Sequence, residues 1–301
     1  MAAPAQPASL ATRREAVALA ARLPGFAIAA KQLAHSVAGG LHGRRRAGPG
    51  ENFWQFRPFL SGEPAARVDW RRSAREDRAF VREREWEAAH DVWIWFDRSA
   101  SMDFASPLAK TSKLARAATL ALASAQLLAR GGERVGLLGL ATPSASPAPI
   151  ERLAQALARD ASSREPLPPG EPLKRRAKAL LIGDFLSDAQ NVERTLASLA
   201  ADGAQGQLVM VADPIEETFP FSGHVEFLET GGTARLLTPR AQSLRSAYLD
   251  RLGAHRERTR GACRRLGWGF ALHRTDASAA AALLALWARW RDAEAPAARR
   301  A

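Results

Sequence analysis

The sequence contains a single cysteine, Cys263. One cysteine excludes an intramolecular disulfide framework and any zinc site built from cysteines, so we expect a reducing compartment. No run approaches the roughly 18 apolar residues of a membrane span, and residues 16–34, for example, are interrupted by Arg22, Pro24 and Lys31. The first residues have neither the basic region nor the apolar core of a signal peptide. These absences predict a cytoplasmic protein.

Signatures of common enzyme classes are missing as well. The sequence has no Gly-x-x-x-x-Gly-Lys-Ser/Thr phosphate loop, no His-Glu-x-x-His, no Gly-x-Ser-x-Gly and no Ser-x-x-Lys. Its six histidines are scattered along the chain. We therefore expect that the protein is not an enzyme. A metal-assisted hydrolase stays open as an alternative, and Asp103 would be its local candidate for a general base.

Positive charge is in excess and unevenly distributed. The chain has 43 Lys and Arg against 31 Asp and Glu, a formal net charge of +12. Most basic residues are arginines interleaved with acids, which favours exposed, salt-bridged faces over a single basic patch. The first 90 residues carry 15 basic and 9 acidic side chains, and hence half of the net charge. Their arginine-rich segments, including Arg44 to Arg46, leave nucleic-acid binding open as a second alternative.

The sequence pattern changes near residue 90 and divides the chain into an amino-terminal module and a larger domain. Residues 1–12 are rich in Ala and Pro and are predicted to form a disordered tail. Residues 13–89 combine a helical segment with short stretches in which aromatics alternate with Arg and Glu, as in β-strands with one packed face. Residues 90–293 form the larger domain, and residues 294–301 are predicted to be a second disordered tail.

Strands and helices alternate after residue 90, which predicts an α/β fold. The strands are short and almost continuously apolar, as is typical of a mostly parallel sheet covered by helices on both faces. The predicted strands are residues 92–96, 134–140, 179–182, 207–211, 225–228, 234–237 and 269–273. The predicted helices are residues 108–129, 150–159, 189–201, 240–266 and 277–291.

The first strand of this domain opens into a loop rich in oxygen atoms. An apolar run ends in Asp97, and the hydroxyls of Ser99 and Ser101 follow at alternate positions. Ser106 and Pro107 then supply a helix start. A carboxylate and two hydroxyls are hard ligands, which suit Mg²⁺, Mn²⁺ or Ca²⁺ better than zinc. The alternative is that these side chains only cap a turn and the helix.

Three strands of the predicted sheet end in an acid, namely Asp97, Asp184 and Asp213. Ligands of open α/β sheets bind at the carboxyl ends of the strands. If the strands of Asp97 and Asp184 are neighbours, the two carboxylates face one site together with Ser99 and Ser101. This arrangement favours a metal site over simple capping.

Linked motifs carry a resemblance to known proteins. Residues 92–102 resemble the first strand and the metal-ion-dependent adhesion site of von Willebrand factor A domains, and Asp184 matches the acid that follows a later strand there. More specifically, the chain resembles the bacterial domain of unknown function 58 family from about residue 40 to about residue 213. The motifs are Gly-Glu-Asn-Phe at 50–53, Arg-Pro-Phe at 57–59, Ser-Gly-Glu at 61–63, Arg-Val-Asp-Trp at 67–70, Ser-Ala-Arg at 73–75 and the loop at 97–102.

This resemblance implies a von Willebrand factor A-like, Rossmann-like fold and a site for Mg²⁺ or Mn²⁺ at Asp97, Ser99, Ser101 and Asp184. It also implies a non-enzymatic interaction module, an adaptor or co-chaperone of a MoxR-type AAA+ ATPase that matures protein complexes together with a client protein. A carboxylate of the partner would complete the coordination of the metal. The family also has a ligating Thr in a third loop, where residues 160–166 offer only serines, so a weak metal site is expected.

Overall fold

A computed structural model describes residues 22–38 apart from 23 and 26, and residues 55–59, 68–74, 78–83, 89–160, 165–230 and 232–294. Its helices are residues 27–38 (α1), Trp70–Ser73 (α2), Lys113–Arg130 (α3), Pro149–Arg159 (α4), Ala189–Ala200 (α5), Pro214–Thr218 (α6), Arg245–Arg265 (α7) and Ala279–Glu294 (α8). Its strands are Gln55–Pro58 (β1), Phe80–Glu83 (β2), Asp91–Phe96 (β3), Arg134–Leu137 (β4), Ala141–Ser144 (β5), Lys178–Gly183 (β6), Gln205–Ala212 (β7), Val225–Leu228 (β8), Arg235–Thr238 (β9) and Gly269–Arg274 (β10).

Six strands form a central sheet in the order β10-β7-β6-β3-β4-β5. All neighbouring pairs are parallel except β4 and β5, which are antiparallel. The parallel strands therefore end at the same edge, where their connecting loops meet. The prediction of an α/β fold with a mostly parallel sheet is confirmed.

Helices cover both faces of this sheet. Successive side chains of a strand point to opposite faces, so neighbours in β6 enter different cores. On one face, Leu180 lies beside Leu128 of α3 and Leu286 of α8. On the other face, Leu181 belongs to a core shared with α5 and α7 that includes Cys263. Burial on both faces explains why these strands are apolar at nearly every position.

Helix α3 begins five residues later than the sequence predicts. Ser112 is its N-cap, and the Ser112 hydroxyl accepts the Ala115 N–H at 3.2 Å. Ser106 instead forms a turn, in which its hydroxyl accepts the Leu108 N–H at 3.3 Å. The N–H of Ser106 donates to the distant Asp213 carboxylate. Because this long-range contact fixes Ser106, a local pattern of Ser followed by Pro placed the helix start wrongly.

Two elements of the structure, β5 and α6, are not among those that the sequence pattern predicts. β5 pairs at the edge of the sheet and contains Pro143, which an edge strand tolerates because its free side needs no N–H. Gly136 of β4 permits this pairing, since a Cβ there would lie 2.5 Å from a backbone oxygen of β5. α6 is a short helix with Pro214 at its start and a capping box between Asp213 and Glu216.

The described residues belong to two compact units. One contains α1 and residues 90–294, and the other contains β1, α2 and β2. α1 buries Ala30 and Val37, which lie seven residues apart on one face of the helix. Lys31 forms an ion pair with Glu151 of α4 at 2.5 Å. The sequence pattern groups the helical segment with the amino-terminal module, whereas in the structure α1 lies in the same unit as the sheet.

The second unit contains the short strands that its alternating sequence predicts. β1 and β2 pair in antiparallel fashion. The Asp69 N–H donates to the carbonyl oxygen of Phe80, and the Phe80 N–H donates to the hydroxyl of Ser73, both at 2.8 Å. These bonds fasten α2 to β2. The Trp70 side chain is 66% exposed, so it is not a core residue of the described part of this unit.

Some sequence predictions concern residues outside the described ranges. These include the tail at 1–12, the arginines at 44–46, the motif residues at 50–53, 61–63, 67 and 75, the third-loop serines at 162 and 163, and residues 295–301. Glu294, which was predicted to begin the second tail, is the last residue of α8. Within the described ranges, no helix combines the length and the apolar character needed to cross a membrane.

Candidate metal centre

The strands that precede Asp97 and Asp184 are neighbours in the sheet. β3 and β6 pair in parallel with Phe96 opposite Ile182, and the Asp97 N–H donates to the Ile182 carbonyl oxygen at 2.8 Å. Asp97 therefore follows β3 beside Gly183, and Asp184 follows β6 one residue later. The predicted site requires these two strands to be neighbours, and the structure meets this requirement.

Gly183 allows the two strand ends to approach each other. A Cβ at this position would lie 2.8 Å from the Cβ of Asp97 and 3.4 Å from ring atoms of Trp95 and Phe185. Real Cβ atoms do not come so close to another carbon, so a larger residue would push β6 away from β3. The glycine thus sets the spacing of the two acids.

A sharp turn at Phe185 follows Asp184 at the end of β6. Phe185 has a left-handed backbone with φ of 49°, which costs a residue other than glycine on the order of 1 kcal/mol. Packing stabilises this conformation, because the Phe185 ring is buried 5.9 Å from the Trp95 ring and His255 Nε2 donates to the Phe185 carbonyl oxygen at 2.6 Å. The Leu186 N–H then donates to Asp184 Oδ1 at 3.2 Å.

The four predicted ligands form one hydrogen-bonded group. Asp97 Oδ1 accepts the Ser99 N–H at 2.7 Å. The hydroxyl oxygens of Ser99 and Ser101 are 3.1 Å apart, and the Ser101 hydroxyl donates to Asp184 Oδ2 at 2.8 Å. The fully buried Met102 anchors the loop that carries the serines. The structure therefore brings together all four residues that the sequence proposed for the metal.

Asp97 is fully buried and only partly hydrogen-bonded. Its Oδ2 atom has no hydrogen-bond partner within the described part of the chain. Burial and, after it, the negative charge of Asp184 together raise the pKa of Asp97 to about 7, while the hydrogen bonds from Ser99 and the charge of Lys113 act in the opposite direction. The carboxylate thus lies where a nearby cation would stabilise its ionised form.

Two charged residues of this site were not found from the sequence. Lys113 is buried with its side chain 2% exposed, and its Nζ atom donates to Asp184 Oδ2 at 3.0 Å and to Glu216 Oε1 at 2.7 Å. Burial by itself would lower the pKa of Lys113, but the two carboxylates outweigh it and raise the pKa. An ammonium therefore lies against one of the predicted metal ligands.

A helical pattern carries a signal for these residues. Lys113 lies one turn before Ala117 and two turns before Leu120, which places it on the buried face of α3. A lysine on an apolar face needs an acidic partner, and this requirement points to a strand-end carboxylate. Glu216 stands three residues after Asp213, the spacing of a capping box.

The third strand-end acid, Asp213, has a structural role. Its Oδ2 atom accepts the Ser106 N–H at 2.9 Å, and its Oδ1 atom accepts the Ile215 N–H at 3.0 Å. Both carboxylate oxygens are therefore used by backbone donors. Asp213 starts α6 and also holds the end of the loop that carries Ser99 and Ser101.

The donors of this site fit a hard divalent cation. Across the described ranges, no three His, Cys, Asp or Glu side chains are grouped so that they could hold a metal. The candidate ligands of this site are instead two carboxylates, those of Asp97 and Asp184, and two hydroxyls, those of Ser99 and Ser101. An oxygen set of this kind suits Mg²⁺ or Mn²⁺ and leaves coordination positions for water or a further ligand. Asp97 Oδ2 is buried and has no hydrogen-bond partner among the described residues, an observation that favours a cation there.

These features define an α/β protein with an acidic, hydroxyl-bearing centre at the carboxyl edge of its sheet. The chain belongs to the family described as "Protein of unknown function DUF58", whose model matches residues 55–258, more than half of the sequence. The resemblance to this family is confirmed. The family description assigns no activity to its members.

Relatives with names of the same kind support the family assignment. The uncharacterized protein Rv1480 of Mycobacterium tuberculosis is 30% identical over 223 residues, which cover 69% of this chain and 69% of the relative. The uncharacterized protein Mb1516 of Mycobacterium bovis matches with the same identity and coverage. No solved structure matches the chain.

Proposed function

We propose that the protein is a non-enzymatic, metal-dependent protein-interaction module of the von Willebrand factor A-like type. Asp97, Ser99, Ser101 and Asp184 would hold Mg²⁺ or Mn²⁺, and the bound cation would offer a coordination position to a carboxylate of a partner protein. The observation that carries the proposal is the buried Asp97 Oδ2 atom, which has no hydrogen-bond partner in the described part of the chain.

The charge around Asp97 supports a cation at this place. A buried polar oxygen without a partner costs free energy, and a buried negative charge costs more. The raised pKa of Asp97 has the same origin, since both burial and Asp184 disfavour the ionised carboxylate. A divalent cation shared by the two carboxylates would offset both costs. The hydroxyls of Ser99 and Ser101 lie between the acids and would complete the protein's share of the coordination.

Exposed apolar side chains beside this centre support a protein partner. Phe104 and Leu108 follow the serine loop and are 37% and 54% exposed, and Leu186 follows Asp184 and is 46% exposed. Apolar side chains around a polar centre are typical of interaction surfaces, where they exclude water from the charged contact. A partner that supplies one carboxylate and a small apolar surface would fit this edge of the sheet.

The resemblance described above supplies the proposed class of partner. A MoxR-type AAA+ ATPase would bring the carboxylate, and the protein would serve as its adaptor or co-chaperone in the maturation of a client complex. This proposal leaves the ATPase chemistry entirely to the partner. The role of the protein would be recognition, controlled by the metal.

The hydrolase alternative has less support. Its local candidate for a general base, Asp103, is held in an ion pair with Arg22 at 2.6 Å. The guanidinium thus already occupies Oδ1, one of the two oxygens with which Asp103 would accept a proton. The nucleic-acid alternative depends on an amino-terminal module whose three consecutive arginines lie outside the described residues.

Calorimetric titration of Mg²⁺ and Mn²⁺ into the purified protein tests the metal site. Asp97→Asn and Asp184→Asn remove one ligand charge each with little change in shape, and Asp202→Asn removes an exposed charge in a turn elsewhere in the domain. We expect the wild type and Asp202→Asn to bind both metals and the two site variants to bind neither. Unchanged binding by folded Asp97→Asn would overturn the proposed site.

A second experiment tests the partner. A purified MoxR-type AAA+ ATPase is passed over the immobilised protein in Mg²⁺ and again in excess EDTA. We expect retention that depends on Mg²⁺ and that Asp97→Asn abolishes. Retention that is equal in both buffers and with both proteins would contradict recognition through the metal. A Leu186→Ser variant should weaken retention without changing metal affinity, because Leu186 is exposed and contributes no side-chain ligand.

A further inference from the structure

Lys113 places a positive charge directly on the candidate metal ligands. Its Nζ atom is 3.0 Å from Asp184 Oδ2, the same oxygen that accepts the Ser101 hydroxyl. The side chain is 2% exposed, and the other contact of the ammonium is Glu216 Oε1 at 2.7 Å. Lysines are almost never buried so completely unless they are paired, so the position of this ammonium is determined by the two carboxylates.

The ammonium and a divalent cation would share one carboxylate. Asp184 Oδ1 already accepts the Leu186 N–H, and Oδ2 accepts both Ser101 and Lys113. Two positive charges close to the same carboxylate repel each other strongly in a buried setting, where water screens little. Asp97, by contrast, has an oxygen without a hydrogen-bond partner among the described residues. The acids of the site are thus unequal: Asp184 is in direct contact with an ammonium, whereas Asp97 Oδ2 has no hydrogen-bond partner among the described residues.

We propose that Lys113 is a resident counter-cation of the metal centre. It keeps Asp184 and Glu216 in place without metal, and it lowers the affinity of the site for divalent cations by neutralising Asp184. Glu216 also binds the ammonium and so weakens the neutralisation of Asp184 by Lys113. The relative strength of these two ion pairs therefore sets the affinity of the site for the metal. This inference deepens the proposed function and rests on it for the identity of the ligand.

The inference predicts the direction in which two variants change the affinity for Mn²⁺. Lys113→Met keeps an unbranched side chain that lacks only the terminal ammonium, so we expect Mn²⁺ to bind at least about tenfold more tightly than to the wild type. Glu216→Gln leaves the full ammonium charge to Asp184, so we expect binding to weaken severalfold. A purely structural lysine would give weaker or unchanged binding in Lys113→Met.

Lys178 provides the matched control. It is also buried and paired, with Glu133 at 3.9 Å and the Trp290 ring at 5.5 Å, but it lies at the start of β6, whereas Asp184 follows the end of that strand. Lys178→Met therefore removes a buried lysine from β6, the strand that precedes Asp184, and changes no residue of the site. We expect it to leave the affinity for Mn²⁺ within about twofold of the wild type.

The unpaired charges left by Lys113→Met could prevent folding, and a double variant avoids this outcome. The double variant Lys113→Met with Glu216→Gln removes both the ammonium and one of its two carboxylate partners. Of these three residues, Asp184 alone keeps its charge. We expect this protein to fold, to bind Mn²⁺ more tightly than the wild type, and to gain more thermal stability from Mn²⁺ than the wild type gains. Affinity no higher than that of the wild type would overturn the role of Lys113.

Calorimetry with Mn²⁺ also separates the failure of this inference from the failure of the proposed function. If the wild type binds Mn²⁺ and the folded variants without Lys113 bind no more tightly, the inference is wrong and the metal site stands. If only the variants without Lys113 bind Mn²⁺, the native protein uses the ammonium in place of a metal, and the inference stands without the proposed function. If no folded protein of the series binds, both are wrong.

Discussion

Asp97 couples the stability of the metal-free protein to pH. Its pKa is about 7 in the folded protein and near its ordinary value of 3.8 in the unfolded chain. Between these values the unfolded chain has lost a proton that the folded protein keeps, so stability falls as pH rises through this window. The shift corresponds to a loss on the order of 4 kcal/mol above about pH 7. Asn resembles the protonated carboxyl, so in EDTA we expect Asp97→Asn to exceed the wild type in stability, increasingly so toward high pH.

Urea unfolding of both proteins in EDTA, at about pH 5 and about pH 8, measures this difference. His273 titrates with the opposite sign, because burial and Arg116 lower its pKa to about 4, so its contribution to stability is lost as pH falls. Both proteins contain His273, and its effect cancels in the comparison. Asp202→Asn should follow the wild type. Parallel pH profiles for Asp97→Asn and the wild type would show that Asp97 is not the buried acid described above.

At the scale of elements, the close approach of β3 and β6 depends on Gly183. A methyl group there would meet the Cβ of Asp97 at 2.8 Å, so Gly183→Ala should destabilise the fold by roughly 1–3 kcal/mol and weaken the affinity for Mn²⁺. Gly170→Ala is the matched control, because a Cβ at Gly170 would contact nothing within 4 Å. Denaturant unfolding and calorimetry measure both effects. A Gly183→Ala protein as stable as Gly170→Ala would mean that the strand ends are farther apart than described.

Helix α6 stabilises the serine loop through its cap. Asp213→Ala removes the N-cap of α6 and the bond to the Ser106 N–H, whereas Asp188→Ala removes only the N-cap of α5, where the Asp188 side chain accepts the Gln190 N–H. Each change should cost about 1 kcal/mol through its cap. Only Asp213→Ala should also weaken Mn²⁺ binding, because Asp213 also holds the end of the loop that carries Ser99 and Ser101. Equal metal affinity in both variants would show that Asp213 does not support the site.

Local patterns predicted the elements that define the site but not all of its charges. Asp97, Ser99 and Ser101 were found because an apolar strand followed by alternating oxygens is visible in consecutive residues, and Asp184 because it follows a second strand of the same kind. Lys113 was missed because its role depends on a carboxylate 71 residues away.

The missed elements have the same origin. The start of α3 was misplaced because Ser106 is fixed by Asp213, 107 residues later. The edge strand β5 lacks an apolar run, and its pairing is set by the close approach at Gly136. Each of these features is specified by a contact between distant segments, and periodicity along the chain carries no information about such contacts.

At the scale of the whole molecule, the unit that carries the site includes α1, which is separated in sequence from the rest of that unit by the second unit. A chain in which a flexible Gly/Ser linker of about 20 residues replaces residues 40–89 should therefore fold and keep the Mn²⁺ affinity of the full protein.

A chain that begins at residue 90 lacks α1, whose buried side chains include Ala30 and Val37, and should lose at least about 2 kcal/mol of stability. Urea unfolding of the two shortened proteins makes the comparison, and equal stability would show that α1 contributes nothing to this unit. Full metal affinity in the protein with the linker would assign the site to the sheet-containing unit alone, so that any effect of residues 40–89 on partner binding belongs to a separate contact.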